Sequence, residues 1–236
     1  MSDVLLVHGS CHGAWCWRDL VPALQDHGHT VRAIDLPGHG QNPAPIQDVT
    51  LDAYAHTIAE ACRGDTVVVG HSLGGYSITA AAEIGGVRMS KLIYLCAYVP
   101  MAGKTLAEMR FLAPRQPLLA AIDVAEDGLS VTVMPDKAIE VFYQDCDPDT
   151  AQWAAAQLGP QATEPYNQVI TLTEASQSLP RRFIRCMDDQ TVPPEFQVTM
   201  TEDWPPEHVQ DMPCGHSPFL ADPTGLARAL DHAIRT

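Results

Sequence analysis

At 236 residues, 46% hydrophobic and 18% charged, the chain has the makeup of one folded domain with a single core and room for a small insert, which excludes a disordered polypeptide. Lys and Arg number 14 against 29 Asp and Glu, a formal charge of −15, so nucleic acids and anionic membranes are set aside as partners because both need a basic surface. No apolar run reaches the roughly 18 residues of a membrane helix, Met1-Ser2-Asp3 leads straight into Val4-Leu5-Leu6-Val7 with no basic leader, and seven cysteines at irregular spacing fit reduced thiols, so a cytoplasmic location is expected.

In chain order, Val4 to Val7 reads as a buried strand and Trp17 to His27 as a helix with Leu20, Val21 and Leu24 on one face, closed by Gly28. Thr30 to Asp35 is the second strand, followed by the loop Leu36-Pro37-Gly38-His39-Gly40. Leu51, Tyr54, Ala55, Ile58 and Cys62 recur at helical spacing, Thr66 to Gly70 is a third strand, and a helix follows from Leu73 to Glu83. Lys91 to Cys96, Arg182 to Met187 and, more weakly, Glu207 to Asp211 are the remaining strands, and Thr224 to Ile234 is the closing helix. Repeated βα units on continuous apolar strands predict a six-stranded, mostly parallel sheet flanked by helices. The rhythm breaks between Met101 and Ser178, where six prolines separate short helical pieces. Residues 1–100 and 179–236 are therefore expected to form the core, and residues 101–178 an inserted helical lid.

Gly70-His71-Ser72-Leu73-Gly74 matches the G-x-S-x-G pattern and stands between a strand and a helix. There the serine occupies a strained turn, and only small residues at 70 and 74 let the backbone pass so closely. The turn would lift the Ser72 hydroxyl above the sheet at a helix N-terminus, where backbone dipoles favour a developing anion. An oxyanion needs two N–H donors. Leu73, next after the nucleophile, supplies one, and Ser10 in the His8-Gly9-Ser10 loop after the first strand supplies the other. His71 is expected to point away from the chemistry. His8 and His12 lie on a glycine-rich loop and share no helical face, so neither a metal nor any other cofactor is expected.

A general base belongs on the loop before the closing helix, where Cys214-Gly215-His216-Ser217-Pro218 stands. His208, at the last strand, and His232, in the final helix, are poorer candidates. The acid belongs after the fifth strand, where Asp188 and Asp189 are adjacent and Asp189 is preferred. The loop after the fourth strand, Ala97-Tyr98-Val99-Pro100, holds no carboxylate. Asp145, Asp147 and Asp149 read as turn and capping residues.

Taken together, the blocks Val7-His8-Gly9-Ser10-Cys11-His12-Gly13-Ala14-Trp15, Gly28 to Leu36, Val69 to Gly75, Asp189 with Pro194-Glu195-Phe196-Gln197, and Gly215-His216 resemble the methylesterase and hydroxynitrile lyase family of α/β-hydrolases. The resemblance covers nearly the whole chain, fades between Met101 and Ser178, and implies the α/β-hydrolase fold with Asp189 as the triad acid. Lyases of that family carry Thr where this chain has Gly9 and Lys where it has Ser217, so the resemblance implies the esterase branch. The expected activity is carboxylic ester hydrolysis on a small-molecule ester with an apolar or aromatic part, with a homodimer left open. A lyase or C–C bond hydrolase on the same triad, and a ligand-binding receptor with a vestigial triad, are the alternatives. Phe111, Leu112, Leu118, Leu119, Phe142, Tyr143, Trp153 and Tyr166 are candidates for the apolar lining.

Overall fold

A computed structural model describes all residues from 1 to 236. Strands β1 (Asp3–Val7), β2 (Thr30–Ile34), β3 (Thr66–His71) and β4 (Met89–Leu95) pair parallel to one another, and after the insert two more parallel strands follow, here numbered last as β8 (Arg181–Cys186) and β9 (Val209–Met212). The sheet order is β2-β1-β3-β4-β8-β9, the expected six-stranded sheet, parallel throughout. Successive side chains of a strand serve opposite faces. Val4, Leu6, Val67 and Val69 pack with α1 (Leu20–Asp26) and the closing helix Pro223–Arg235. Leu5, Val7 and Val68 pack with α2 (Leu51–Ala61) and α3 (Leu73–Ala82). Coverage of both faces is why the central strands read as unbroken apolar runs.

The chain steps from β1 to one edge and from β3 toward the other, so the strand order reverses between them. The loops leaving β1 and β3 therefore open a crevice at the carboxyl ends of the strands, where parallel sheets seat their ligands. Residues 8–10 and 71–73 are those loops.

Three elements differ from expectation. The first helix begins later, because Ala14–Trp17 forms a separate 3₁₀ turn that buries Cys16 and Trp17. The last strand starts at Val209, leaving His208 in a 3₁₀ turn ahead of it. The stretch from 101 to 178, expected to be helical, holds helices α4 (Leu106–Arg110), α5 (Pro135–Phe142), α6 (Pro148–Ala155) and α7 (Glu174–Gln177), but also a small antiparallel sheet. Its strands are β5 (Ile122–Val124), β6 (Ser130–Val133) and β7 (Gln161–Ala162). At two to four residues each, they are too short to show alternation. Between β8 and the C-terminus run α8 (Pro194–Thr199), α9 (Pro218–Ala221) and α10 (Pro223–Arg235).

Candidate active site

Ser72 sits where β3 gives way to α3 with φ +55° and ψ −120°, a conformation side-chain-bearing residues adopt only when the surroundings hold them there. Packing around the glycines shows what holds it. A Cβ at Gly70 would meet Gly74 O at 2.5 Å, one at Gly74 would meet Val7 O at 2.8 Å, and one at Gly75 would meet Tyr98 O at 2.6 Å. These neighbours are backbone and cannot swing aside. The elbow is thus wedged between β1, β4 and the turn itself. Ser72 O accepts from Tyr98 N at 3.1 Å and Ser72 N donates to Leu95 O at 3.2 Å.

The loop after β1 lies against this turn: a Cβ on Gly9 would stand 2.8 Å from Ser72 Cβ and 2.9 Å from His71 Nδ1. Two imidazoles fix the loop's peptide planes. His8 Nδ1 donates to Gly9 O at 2.8 Å and its Nε2 accepts from Leu36 N at 3.1 Å. His12 Nδ1 donates to Ser10 O at 2.7 Å, while its Nε2 accepts from Tyr143 Oη at 2.8 Å. Burial lowers the pKa of His8 well below the ordinary imidazole range and that of His12 to about 3, so both stay neutral and keep these tautomers. With the carbonyls pinned, the Ser10 and Leu73 N–H groups donate to nothing within the protein. Two free N–H groups beside a serine can stabilise an oxyanion. Tyr166 Oη donates to Ser10 Oγ at 2.6 Å.

Of the two adjacent aspartates, Asp188 is exposed and Asp189 is wholly buried. Asp189 Oδ1 accepts from Thr191 N at 2.6 Å and Val192 N at 2.9 Å, and Oδ2 from His216 Nδ1 at 2.8 Å and Gln197 Nε2 at 3.0 Å. Four donors satisfy the carboxylate and fix its plane. His216 is 1% exposed. Its Nε2 makes no hydrogen bond, yet it is not sealed off like the orphaned buried atoms, so it opens to the site. No hydrogen bond joins Ser72 to His216, a bond that need form only as substrate binds. His208 and His232 instead line a cavity of about 300 Å³ with Arg182 and Thr236, beside the amino-terminal ends of β8 and β9.

Several residues missed in the sequence support this arrangement. His71, adjacent to Ser72, turns its ring toward His216, centroids 4.5 Å apart, and Nε2 donates to His216 O at 2.8 Å. The ring expected to stand clear of the chemistry thus lies against His216. Burial first, and then His216 and His12, push its pKa well down. Cys96 Sγ also lies 3.5 Å from His216 O. The ligand-type atoms of His71, Cys96 and His216 fall within 4.8 Å of one another, a grouping accounted for by shared hydrogen bonding around that one carbonyl. Asp145 is more than a turn residue, since its Oδ2 accepts from Gly215 N at 2.6 Å, and Gln144 Nε2 donates to Asp188 O at 2.9 Å. Asp147 caps α6, as expected. Gln197, buried on α8, accepts from Cys186 N at 3.0 Å and donates to Val192 O at 2.7 Å as well as to Asp189.

From the insert, Phe142 stacks over His216 with centroids 5.7 Å apart, and Tyr143 and Tyr166 reach the oxyanion loop. Trp153 instead packs on Trp15 with Arg18 over it, and Phe111 and Leu112 are exposed. A surface cavity of about 630 Å³ lies between α2, α3 and residues 168–173, and another of about 600 Å³ lies beside Cys11, His12 and His39; neither includes Ser72.

A family model described as the Alpha/beta hydrolase family matches residues 4–229, and the chain belongs to that family. Within it the chain is an enzyme of the serine esterase type, in line with its relatives. Methylesterase 10 of Arabidopsis thaliana is 32% identical over 249 residues, spanning 98% of this chain and 90% of that protein. A pyrethroid hydrolase of Sphingobium wenxiniae is 28% identical over 244 residues, spanning 98% and 86%. Among solved structures, a pyrethroid hydrolase from Sphingobium faniae superposes with a TM-score of 0.86 at 27% identity, over 97% of this chain and 95% of that one. No helix is long and apolar enough to cross a membrane.

Proposed function

We propose that this protein hydrolyses small to medium carboxylic esters with an apolar or aromatic part, through an acyl-enzyme on Ser72 and without a cofactor. The observation that carries the reading is the buried Asp189–His216 pair, which leaves Nε2 without a partner, together with a serine on a strained turn whose neighbour His71 donates to His216 O. Asp189 accepts from Nδ1–H, which fixes the tautomer whose Nε2 is the basic nitrogen. His216 takes the Ser72 proton as the hydroxyl attacks the ester carbonyl, and the charge on the carbonyl oxygen is met by the N–H groups of Ser10 and Leu73. The C–O bond breaks as His216 returns the proton to the leaving alcohol. Water, deprotonated by His216, then releases the acid and restores Ser72.

Residues 101–178 act as the lid. Ser72 is only 6% exposed, Phe142 covers His216, and Gln144 and Asp145 hold the acid and base loops, so substrate enters as this segment yields.

Two features weigh against cyanohydrin cleavage. The crowding at Gly9 leaves no space for the threonine of the lyases. Ser217 is fully buried with an unpaired hydroxyl and supplies no cation to receive cyanide. The test assays one preparation on a panel of aryl, alkyl and methyl esters and on mandelonitrile, corrected for spontaneous decay. Ester turnover lost in Ser72→Ala and His216→Ala is expected. Triad-dependent benzaldehyde release with no ester turnover would overturn the reading.

A further inference from the structure

We propose that Arg110 selects the substrate, and that the preferred ester carries a carboxylate on the part that lies under the lid. This deepens the esterase reading and rests on it. Arg110 ends α4, and its guanidinium makes no ion pair and donates to no acceptor in the protein; Nε is sealed from solvent without a partner. Of the other ten arginines, Arg18, Arg32, Arg88, Arg115, Arg185 and Arg235 hold a carboxylate, Arg63 and Arg228 are exposed to water, and Arg182 donates to Arg181 O while Arg181 lies over Trp204, in a protein with twice as many acids as bases. Arginine cannot shed its charge to escape burial, and a desolvated donor without an acceptor is a standing cost that asks for an explanation.

The position of Arg110 supplies one. Its Cζ lies 5.6 Å from the ring of Tyr166, the residue whose hydroxyl donates to Ser10. Its charge also reaches Tyr98, whose N–H holds Ser72 O; burial dominates and raises that phenol's pKa, and Arg110 opposes the rise. The guanidinium is thus one side chain away from both the oxyanion loop and the nucleophile's backbone. The rings of Tyr166 and, at 5.9 Å, Phe111 offer it weak cation–π contacts, whereas a carboxylate would take two parallel hydrogen bonds from its fork. Phe111 and Leu112, 64% and 49% exposed, flank it on the chain. Apolar surface beside one unpaired cation suits an amphipathic ligand: a ring or alkyl chain ending in a carboxylate.

The test compares esters matched in length, one member of each pair charged. On the acyl side these are 4-nitrophenyl hexanoate and the mono-4-nitrophenyl ester of adipic acid; on the alcohol side, phenyl butyrate and 4-carboxyphenyl butyrate. In Arg110→Met the preference for the charged member of one pair should fall at least ten-fold, expressed in KM, with Arg110→Lys between the two. Equal losses on charged and neutral members, accompanied by a lower melting temperature, would mean that Arg110 only pins the lid and would overturn the proposal, as would an unchanged preference in both pairs. Calorimetric binding of both charged esters to Ser72→Ala, with and without Arg110→Met, separates this from the parent reading. If the wild type turns over no ester, the esterase reading fails, and binding of one charged ester weakened at least ten-fold by Arg110→Met still supports the anion site, while unweakened binding of both refutes it.

Discussion

Gln197 offers a way to separate the geometry of the acid from its chemistry. Its amide accepts from Cys186 N and donates to Val192 O and Asp189 Oδ2, all without solvent contact. Gln197→Leu keeps the volume but orphans a strand-end N–H and a loop carbonyl. At about 1–3 kcal/mol for each buried group left unpaired, the loss is roughly 2–6 kcal/mol. That is a large share of the roughly 5–15 kcal/mol that stabilises a domain, and at about 2–4 °C per kcal/mol for this size the melting temperature drops by roughly 4 °C or more. Activity should fall less than if the carboxylate were removed. Asp189 retains the N–H groups of Thr191 and Val192 and its bond to His216, so only its aim slackens. A loss of about 10- to 100-fold in kcat is expected, the scale of a small misplacement. Circular-dichroism melts and 4-nitrophenyl butyrate turnover on folded variant give the two numbers. Melting within a degree of the wild type, or a kcat as low as that of Asp189→Asn, would refute the reasoning.

Asp189→Asn should lower kcat by about 10⁴-fold, because an amide leaves His216 free to take the wrong tautomer; Asp188→Asn, at an exposed side chain, should change it less than about three-fold, and the reverse order would identify the wrong aspartate. Stability should fall steeply on acidification. The pKa values of His12 and His39 are lowered by burial to about 3 and about 4, so the unfolded chain binds protons that the native one refuses once the pH drops below the ordinary imidazole value. Stability from each is complete above about pH 6.5 and is lost toward its native pKa, at about 1.4 kcal/mol per pH unit per site. Urea midpoints at fixed pH check this, and His39→Gln should make the dependence shallower by about one proton; an unchanged slope would contradict the burial argument.

The elbow was legible because steric necessity leaves a mark in sequence: Gly70 and Gly74 are glycine since backbone occupies the place of their side chains. Chain order pointed to His216, and the structure hydrogen-bonds it to Asp189. Asp188 and Asp189 show the limit of such reading, because a shift of one residue at a strand end exchanges exposure for full burial and nothing in the two letters distinguishes them. Gln197, His71 and Asp145 act through partners 8, 145 and 70 residues distant, separations at which no periodic pattern connects them. His8 and His12 were visible only as residues without metal-ligand spacing; their work is to hold carbonyls aside. The small sheet β5–β7 pairs strands across the insert, Val131 with Gln161, and is a product of tertiary pairing more than of local propensity.

The most direct test is intact-mass analysis after exposure to a fluorophosphonate probe, which reacts only with a serine activated by its base and oxyanion donors. One adduct per chain is expected, mapped to Ser72, absent in Ser72→Ala, and slowed by His216→Ala in parallel with ester turnover. Labelling that persists in Ser72→Ala, or an unreactive Ser72 in protein that still cleaves esters, would contradict the account.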